Sequence, residues 1–173
     1  LYFYTDIFGV AAGIVAPVFL AGRIIDAITD PLEGILMDRV NTRWGKIRPF
    51  WLWFSLPWAI LAVLVFTAPD FSATGKVVFI YITYLLFNAV ISLVSLPIAA
   101  ILPSLTSNTH ERTVVSVIAQ IFGTFGGLIV MMVTLPLVSA LGGANAKQGF
   151  LLTAILFSFI AVLLLLNAWA RTR

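Results

Sequence analysis

Ionisable side chains are concentrated in one otherwise apolar stretch of the sequence, which runs from residue 9 to residue 37. Arg23, Asp26 and Asp30 are spaced by three and four residues, so they fall on one helical face, with Thr29 beside the two carboxylates. Two carboxylates one turn apart, next to a hydroxyl oxygen, can bind Na⁺ or share a proton. We therefore predict a monovalent cation site formed by Asp26, Asp30 and Thr29.

Arg23 is interpreted as the charge partner of Asp26. A structural alternative is a buried arginine–aspartate pair that fixes the register of the helix, with the second aspartate satisfied elsewhere. Ionisable groups inside a membrane are costly and usually mark ion or proton pathways, which favours the cation site. Glu33 continues the same stripe of acidic residues.

Two later apolar segments carry polar lines at helical spacing. Asn88, Ser92 and Ser95 share one face and could complete a cation shell or line a solute cavity. Interhelical hydrogen bonding is the alternative for these side chains. Gln120 and Thr124 are also predicted to line the cavity, and they follow Ser116 along a line with a spacing of four residues. Three nearby glycines are predicted to allow close helix packing: Gly123, Gly126 and Gly127.

The composition indicates an integral membrane protein that is not an enzyme. Hydrophobic residues make up 61% of the chain, charged residues 10%, and the mean hydropathy is +1.09. A soluble domain of this size exposes too much surface to hide that apolar content. Absence of cysteine excludes disulfides and thiolate sites, and the single histidine lies in a polar connection. We expect no cofactor, no metal beyond a monovalent coupling ion, Na⁺ or H⁺, and no nucleic-acid partner.

The elements that position these residues are membrane-spanning helices. Residues 1–173 are predicted to form one all-α bundle of six helices, with the first helix truncated. The predicted segments are a partial first helix at 1–8 and spans at about 10–37, 50–67, 77–102, 114–141 and 149–169.

The distribution of lysine and arginine predicts the orientation of the bundle. Residues 38–49, residues 104–113 and the C-terminus hold seven of these cations, whereas the intervening connections hold only Lys76 and Lys147. Positive charge accumulates on the cytoplasmic side, so these two loops and the C-terminus are predicted to be cytoplasmic. The first loop is either a simple anchor or a conformational latch whose ion pairs exist in one state only. The latch residues would be Asp38, Arg39, Arg43, Lys46 and Arg48.

Several motifs together resemble the glycoside–pentoside–hexuronide:cation symporters, the melibiose-permease-like branch of the major facilitator superfamily. One reads Gly-Arg-Ile-Ile-Asp-Ala-Ile-Thr-Asp-Pro and another Arg-Trp-Gly-Lys-Ile-Arg-Pro. The resemblance implies a twelve-helix transporter, of which this chain is the N-terminal six-helix half. It also implies that Asp26 and Asp30 bind the coupling Na⁺, Li⁺ or H⁺, that Ser92 assists, and that Thr29 lies beside them. The motifs occupy residues 4–6, 22–31, 43–49, 96–97, 102–106 and 111–112.

This sequence departs from the melibiose-type pattern on the sugar side of the site. Ser95, Ala99 and Gln120 stand where those transporters carry an aspartate, a tryptophan and an arginine. The first-helix aspartate that binds sugar in the family would lie upstream of Leu1. We therefore expect a solute other than a galactoside. Glu33 stands where the family usually has an apolar residue, and pairing with a nearby cytoplasmic arginine is the one role that we assign to it from the sequence.

The resemblance and the residues together predict a cation-coupled symporter of sugars or glycosides that works by alternating access. Its expected partners are the lipid bilayer, a small solute and a C-terminal six-helix half, and its expected location is the bacterial cytoplasmic (inner) membrane. One alternative is a lipid or lysophospholipid symporter of the same superfamily, because loss of the sugar ligands makes the cavity less polar. Another is a non-transporting membrane subunit or fragment.

Overall fold

The regular secondary structure of the described residues is entirely helical. The computed structural model describes residues 1–40, 42, 48–101 and 108–171, without the side chains of residues 48 and 99–101. A short π-helical turn at Phe3–Ile7 precedes five long helices. They are α1 (Ala12–Arg39), α2 (Arg48–Val65), α3 (Ala73–Ile101), α4 (Thr109–Gly142) and α5 (Ala146–Arg171).

Four of these helices contain stretches long and apolar enough to cross a membrane, within α1, α3, α4 and α5. The apolar part of α2, Pro49–Val65, is shorter. At a rise of 1.5 Å per residue it extends about 26 Å, close to the ~30 Å hydrocarbon core of a bilayer. The prediction of an all-α membrane fold is confirmed.

The helices extend beyond the predicted apolar spans into the polar connections. Residues 109–113, which we assigned to a loop, form the first turns of α4. The side chain of Asn108 accepts a hydrogen bond from the backbone N–H of His110 at 2.9 Å and caps this end. Similarly, Asp38 and Arg39 are the last residues of α1. Helical backbone needs no apolar side chains where water solvates its outer face, so hydropathy underestimates helix length.

The helices pack in the order α1, α3, α2, α5, α4. The α2 and α3 helices are antiparallel, because the indole N–H of Trp51 donates to the carbonyl of Val94 at 3.3 Å while Trp58 stacks near Phe87. Conversely, α1 and α3 run in the same direction. Because two helices separated by one intervening span must cross in the same sense, this parallel pairing follows from the connectivity.

An aromatic cluster joins the start of the chain to two helix ends. The ring of Phe3 lies 5.4 Å from that of Phe66 after α2 and 5.2 Å from that of Phe150 in α5. Phe8 is almost fully buried, and its carbonyl accepts a hydrogen bond from the ammonium group of Lys76 at 3.0 Å. This cluster holds the helical turn, α2, α3 and α5 together at one end of the bundle.

The closest approach of α4 to α5 occurs at Gly142 and Gly149. A β-carbon at Gly149 would collide with the carbonyl oxygen of Val138 and lie 3.0 Å from its side chain. By contrast, within the described structure nothing lies within 4 Å of a β-carbon built at the three glycines predicted to allow close packing, Gly123, Gly126 and Gly127. Within the described residues, small residues are therefore needed where α4 and α5 converge beside their tight connection, and the close packing predicted at the three other glycines stays a prediction.

We predict that Gly149→Ala separates α4 from α5 and destabilises the protein by about 1–3 kcal/mol, the usual cost of overpacking. Thermal unfolding of the purified protein in detergent measures the effect as a lowered melting temperature. Gly127→Ala is the matched control, because the position is open in the described structure, and it should leave the melting temperature nearly unchanged. Equal effects of the two variants would contradict the proposed contact.

An exposed ion pair connects two chain segments near the same end of the bundle. The ammonium group of Lys147, at the start of α5, lies 3.0 Å from a carboxylate oxygen of Asp70, which precedes α3. The hydrogen bond from Lys147, followed by its charge, lowers the pKa of Asp70 below the ordinary value of 3.8. Because both side chains are solvent-accessible, the pair contributes little to stability.

We expect Asp70→Asn to lower the melting temperature slightly at neutral pH. Since the pKa of Asp70 is lowered on folding, its contribution is fully present above 3.8 and is lost as the pH falls through the lowered value. Melting curves recorded from pH 7 downward should therefore converge for wild type and variant in acid. A difference that persists or grows in acid would show that the ion pair is not its source.

Candidate functional site

The candidate cation site lies near the middle of α1. Asp26 and Thr29 are half-buried there, and Glu33 is only 8% exposed. Within the described part of the chain, Asp26 Oδ1, Thr29 Oγ1 and Glu33 Oε2 are buried and have no hydrogen-bond partner. Buried polar atoms normally have partners, so three unpartnered oxygens on one helix leave room for a positively charged ligand.

These three residues belong to the packed face of α1. Their helical line begins further back, with the fully buried Val15 and Val18. These two valines form one core cluster with Ile80 of α3. The oxygens therefore lie on the side of α1 from which α3 approaches.

Arg23 and Asp30 lie along a neighbouring line of α1, and both are exposed. They are seven residues apart, so they share a line that is rotated away from Asp26. Within the described residues, no ion pair joins Arg23 to Asp26 or to Asp30 within 4.0 Å. The pairing of Arg23 with Asp26 stays a prediction, as does the participation of Asp30 in a shared site. The single stripe expected from the sequence is thus divided into a packed line and an exposed line.

Helix α3 approaches α1 at Gly22, one turn before Asp26. A β-carbon at Gly22 would collide with the side-chain amide nitrogen of Asn88 and lie 2.9 Å from the ring of Tyr84. Tyr84 also packs edge-on against Phe19 of α1, with ring centroids 5.0 Å apart. Only a residue without a side chain allows the amide of Asn88 to rest directly on the α1 backbone.

The parallel register carries the polar face of α3 alongside the carboxylate of Asp26. Contact pairs 19/84 and 22/88 differ by 65 and 66 residues. Continued by one turn, this offset places Ser92 level with Asp26 and Ser95 level with Thr29. Ser92 is half-buried and Ser95 is exposed. Ser92 and Asp26 thus share one level of the bundle, with Asn88 one turn before them, whereas the assignment of Ser92 as a cation ligand stays a prediction.

Gly22 is the residue of this site whose role sequence analysis missed. It was noted within a family motif, but no structural role was assigned to it. The available signal was its position four residues before Asp26, on the same helical line as that carboxylate. A small residue at that spacing is typical of a close helix crossing next to a polar site.

Gln120 and Thr124 lie on α4, at the far end of the packing order from α1. Both side chains are exposed, and the hydroxyl of Thr124 donates to the backbone carbonyl of Gln120 at 2.9 Å. The described helices therefore do not bring Gln120 and Thr124 close to Asn88 and Ser95. The role of Gln120 and Thr124 in a solute cavity stays a prediction.

The proposed latch falls largely at the edge of the described structure. Asp38 and Arg39 end α1 and are exposed, whereas Arg43 and Lys46 lie outside the described residues. Arg48 is the first residue of α2, and its side chain is not among those described. The latch therefore stays a prediction.

The donor set consists of carboxylate and hydroxyl oxygens, which suits a hard monovalent cation or a proton. Half-buried groups of this kind at the middle of a membrane helix are typical of coupling-ion sites in secondary transporters. Among the described residues there is no group of three or more histidine, cysteine, aspartate or glutamate side chains that could hold a metal ion. The arrangement thus resembles a sparse cation site rather than a multi-carboxylate cage.

Comparison with known proteins identifies related transporters over the whole chain. The family model described as "MFS/sugar transport protein" matches residues 1–173. An isoprimeverose transporter of Lactiplantibacillus pentosus is 44% identical over 175 residues, which cover 100% of this chain and 36% of the relative. The putative glycoside/cation symporter YagG of Escherichia coli is 42% identical over 149 residues, covering 86% of this chain and 32% of the relative.

A third relative is the inner membrane symporter YicJ of Escherichia coli. It is 36% identical over 173 residues, covering 100% of this chain and 38% of the relative. The chain thus spans about a third of the length of the relatives that it matches, namely 36%, 32% and 38% of them. All three relatives are named as transporters or symporters and none as an enzyme, in agreement with the expectation of a transport protein.

We predict that Gly22→Ala weakens cation binding by displacing Asn88 and Tyr84 and moving α3 away from Asp26. Sodium titration followed by tryptophan fluorescence should show a dissociation constant raised about tenfold, equivalent to ~1.4 kcal/mol. Gly13→Ala is the control on the same helix, because a β-carbon there meets nothing within 4 Å in the described structure. Unchanged sodium affinity in a folded Gly22→Ala protein would contradict this role.

Proposed function

Because this chain belongs to the MFS/sugar transport protein family, we propose that it forms the N-terminal half of a cation-coupled sugar symporter. The family membership confirms the resemblance drawn from the sequence motifs. In the proposed reaction, a sugar or glycoside crosses the membrane together with Na⁺ or H⁺. The observation that carries the proposal is the pair of buried, unpartnered oxygens, Asp26 Oδ1 and Thr29 Oγ1, on the face of α1 that meets α3.

The coupling ion supplies the positively charged partner that these oxygens lack. A buried carboxylate without a partner is unfavourable, so an empty site favours a conformation that hydrates it. A bound cation neutralises Asp26 and reduces its repulsion of Asp30, which allows α1 and α3 to close. Coupling follows if the solute binds best to that closed arrangement, because a ligand shifts a conformational equilibrium by its differential affinity for the two states. Alternating access then proceeds by rocking of this half against a second one.

The solute is proposed to be a sugar or glycoside, and isoprimeverose is the first compound to test because one relative is named for it. Asn88 and Ser95 of α3 are proposed to donate hydrogen bonds to sugar hydroxyls, because they lie on α3 within about one turn of the level of Asp26. Gln120 and Thr124 of α4 would contact the same solute only if further segments of the protein complete the cavity between α3 and α4. Neutral amides and hydroxyls at Ser95 and Gln120 replace charged sugar ligands of the melibiose-type transporters, so galactoside transport is not proposed.

The proposed setting is the cytoplasmic membrane of a bacterium. Residues 38–49, residues 104–113 and the C-terminus would face the cytoplasm, because they carry most of the lysine and arginine. The inner-membrane assignment is supported by the relative YicJ, which is named as an inner membrane symporter. A C-terminal six-helix half is the proposed partner for rocking, since the chain covers about a third of the length of its relatives, with shares of 36% and 38% in two of them.

We predict that Asp26→Asn and Asp30→Asn each reduce cation-stimulated solute uptake at least about tenfold, or ~1.4 kcal/mol. The amide keeps the size of the carboxylate but removes its charge. Uptake into proteoliposomes containing the full-length protein is measured with Na⁺, with an imposed proton gradient and with choline. Asp70→Asn is the matched control, because Asp70 is exposed and precedes α3 rather than lying in the site.

A readout without solute accompanies this experiment, because the solute is itself a proposal. Sodium binding by calorimetry should be saturable in wild type and in Asp70→Asn, and lost in the two site variants. Proton release that needs the same aspartates, without sodium binding, would assign H⁺ as the coupling ion. If both site variants bind cations and transport like wild type, the proposed function of this site is wrong.

A further inference from the structure

Glu33 is the most deeply buried acidic side chain among the described residues, and the proposed site does not use it. The side chain is 8% exposed, and within the described structure its Oε2 atom has no hydrogen-bond partner. It lies one turn beyond Thr29 towards the Arg39 end of α1, on the same packed line as Asp26. An acidic side chain buried to this degree without a partner is rare in proteins.

No opposite charge is available to Glu33 from the helix packed against it. Between residue 77 and residue 101, α3 contains no aspartate, glutamate, lysine, arginine or histidine, and its tyrosines, Tyr81 and Tyr84, lie at the level of α1 residues well before Glu33. On α1 itself the preceding ionisable side chains are Asp30 and Asp26, both acidic, while Asp38 and Arg39 are exposed at the helix end. The carboxyl group therefore needs a cation that the described side chains do not supply.

We propose that Glu33 is a second, inner station for the coupling cation, beyond the station at Asp26. This inference rests on the proposed function, because it extends the path of the same ion. Asp26 Oδ1, Thr29 Oγ1 and Glu33 Oε2 form a line of buried, unpartnered oxygens directed along α1. A cation leaving Asp26 thus meets a hydroxyl and then a second carboxylate before it reaches the Arg39 end of the helix.

The two carboxylates act in succession rather than together. Asp26 and Glu33 are seven residues apart, which corresponds to a rise of about 10 Å along the helix. The described residues contain no group of three acidic or histidine side chains that could hold one metal ion. One ion therefore occupies one station at a time, and the unoccupied carboxylate attracts the ion from the occupied one.

The chemistry at Glu33 is that of a monovalent cation, and either Na⁺ or H⁺ can supply it. For Na⁺, the hydroxyl of Thr29 is a second oxygen ligand on the same face. For H⁺, a single carboxylate oxygen is sufficient. Na⁺ and H⁺ are distinguished by which of them is released from the site, so the test measures both sodium exchange and proton movement.

The test compares Glu33→Gln with wild type in the full-length protein, reconstituted in proteoliposomes. Glutamine keeps the shape of the side chain but cannot bind a cation by charge. If Na⁺ uses the station, radiolabelled sodium exchange across the membrane should slow about tenfold while calorimetric sodium affinity at Asp26 changes less than about threefold. If H⁺ uses it, the proton movement detected with a pH-sensitive dye during exchange should disappear.

Glu111→Gln is the matched control, because Glu111 is an exposed glutamate in the first turn of α4. It should exchange sodium and protons as wild type does. Glu33→Asp, which keeps the carboxylate on a shorter side chain, should retain exchange at a rate between those of wild type and Glu33→Gln. This second variant also keeps the test decisive if Glu33→Gln is produced poorly.

Wild-type sodium exchange and proton movement in a folded Glu33→Gln protein would overturn the proposal. Equal loss in Glu33→Asp and Glu33→Gln would also overturn it, since a structural role would then explain both. Failure of this inference is distinguishable from failure of the proposed function. Loss of cation binding in Asp26→Asn together with normal exchange in Glu33→Gln rejects the second station alone, whereas intact cation binding in Asp26→Asn and Asp30→Asn rejects the site itself.

Discussion

The contact between α1 and α3 at Gly22 is the constraint on which the candidate site depends. There the amide of Asn88 and the ring of Tyr84 occupy the space that any side chain at Gly22 would need. With the helices this close and parallel, the polar face of α3 continues alongside the next turn of α1, which carries Asp26. A helix pair held further apart by a side chain at this position would move the polar face of α3 away from the turn of α1 that carries Asp26.

This contact also gives the acidic residues of α1 different environments. Asp26, Thr29 and Glu33 lie towards α3 and keep unpartnered oxygens, whereas Arg23 and Asp30 are exposed on the adjacent line. Desolvation makes a carboxylate more dependent on a counterion. The buried line is therefore where the proposed coupling cation would change the energy of the conformation most.

The cation side and the solute side of the proposed site are organised differently. The cation side is contained in one helix pair, α1 and α3, whose register is set by aromatic and amide contacts. Candidate solute residues are divided between α3 and α4, at separate places in the packing order. Such a division suits coupling, since an ion that closes one helix pair can then change the distance between groups that contact the solute.

The sequence by itself determined that this is a helical membrane protein, and it predicted a cation site in the second apolar segment. Hydropathy and 3.6-residue periodicity are local properties, so they predicted the helices, the stripe from Arg23 to Asp30 and the polar face of Asn88, Ser92 and Ser95. Only the tertiary structure decided that Asp26 and Glu33 are more buried than Asp30, and that α4 meets α5 closely at Gly142 and Gly149. Periodicity identifies which residues share a face, but burial within that face depends on the position and angle of a neighbouring helix, and those are fixed by contacts between residues far apart in the chain.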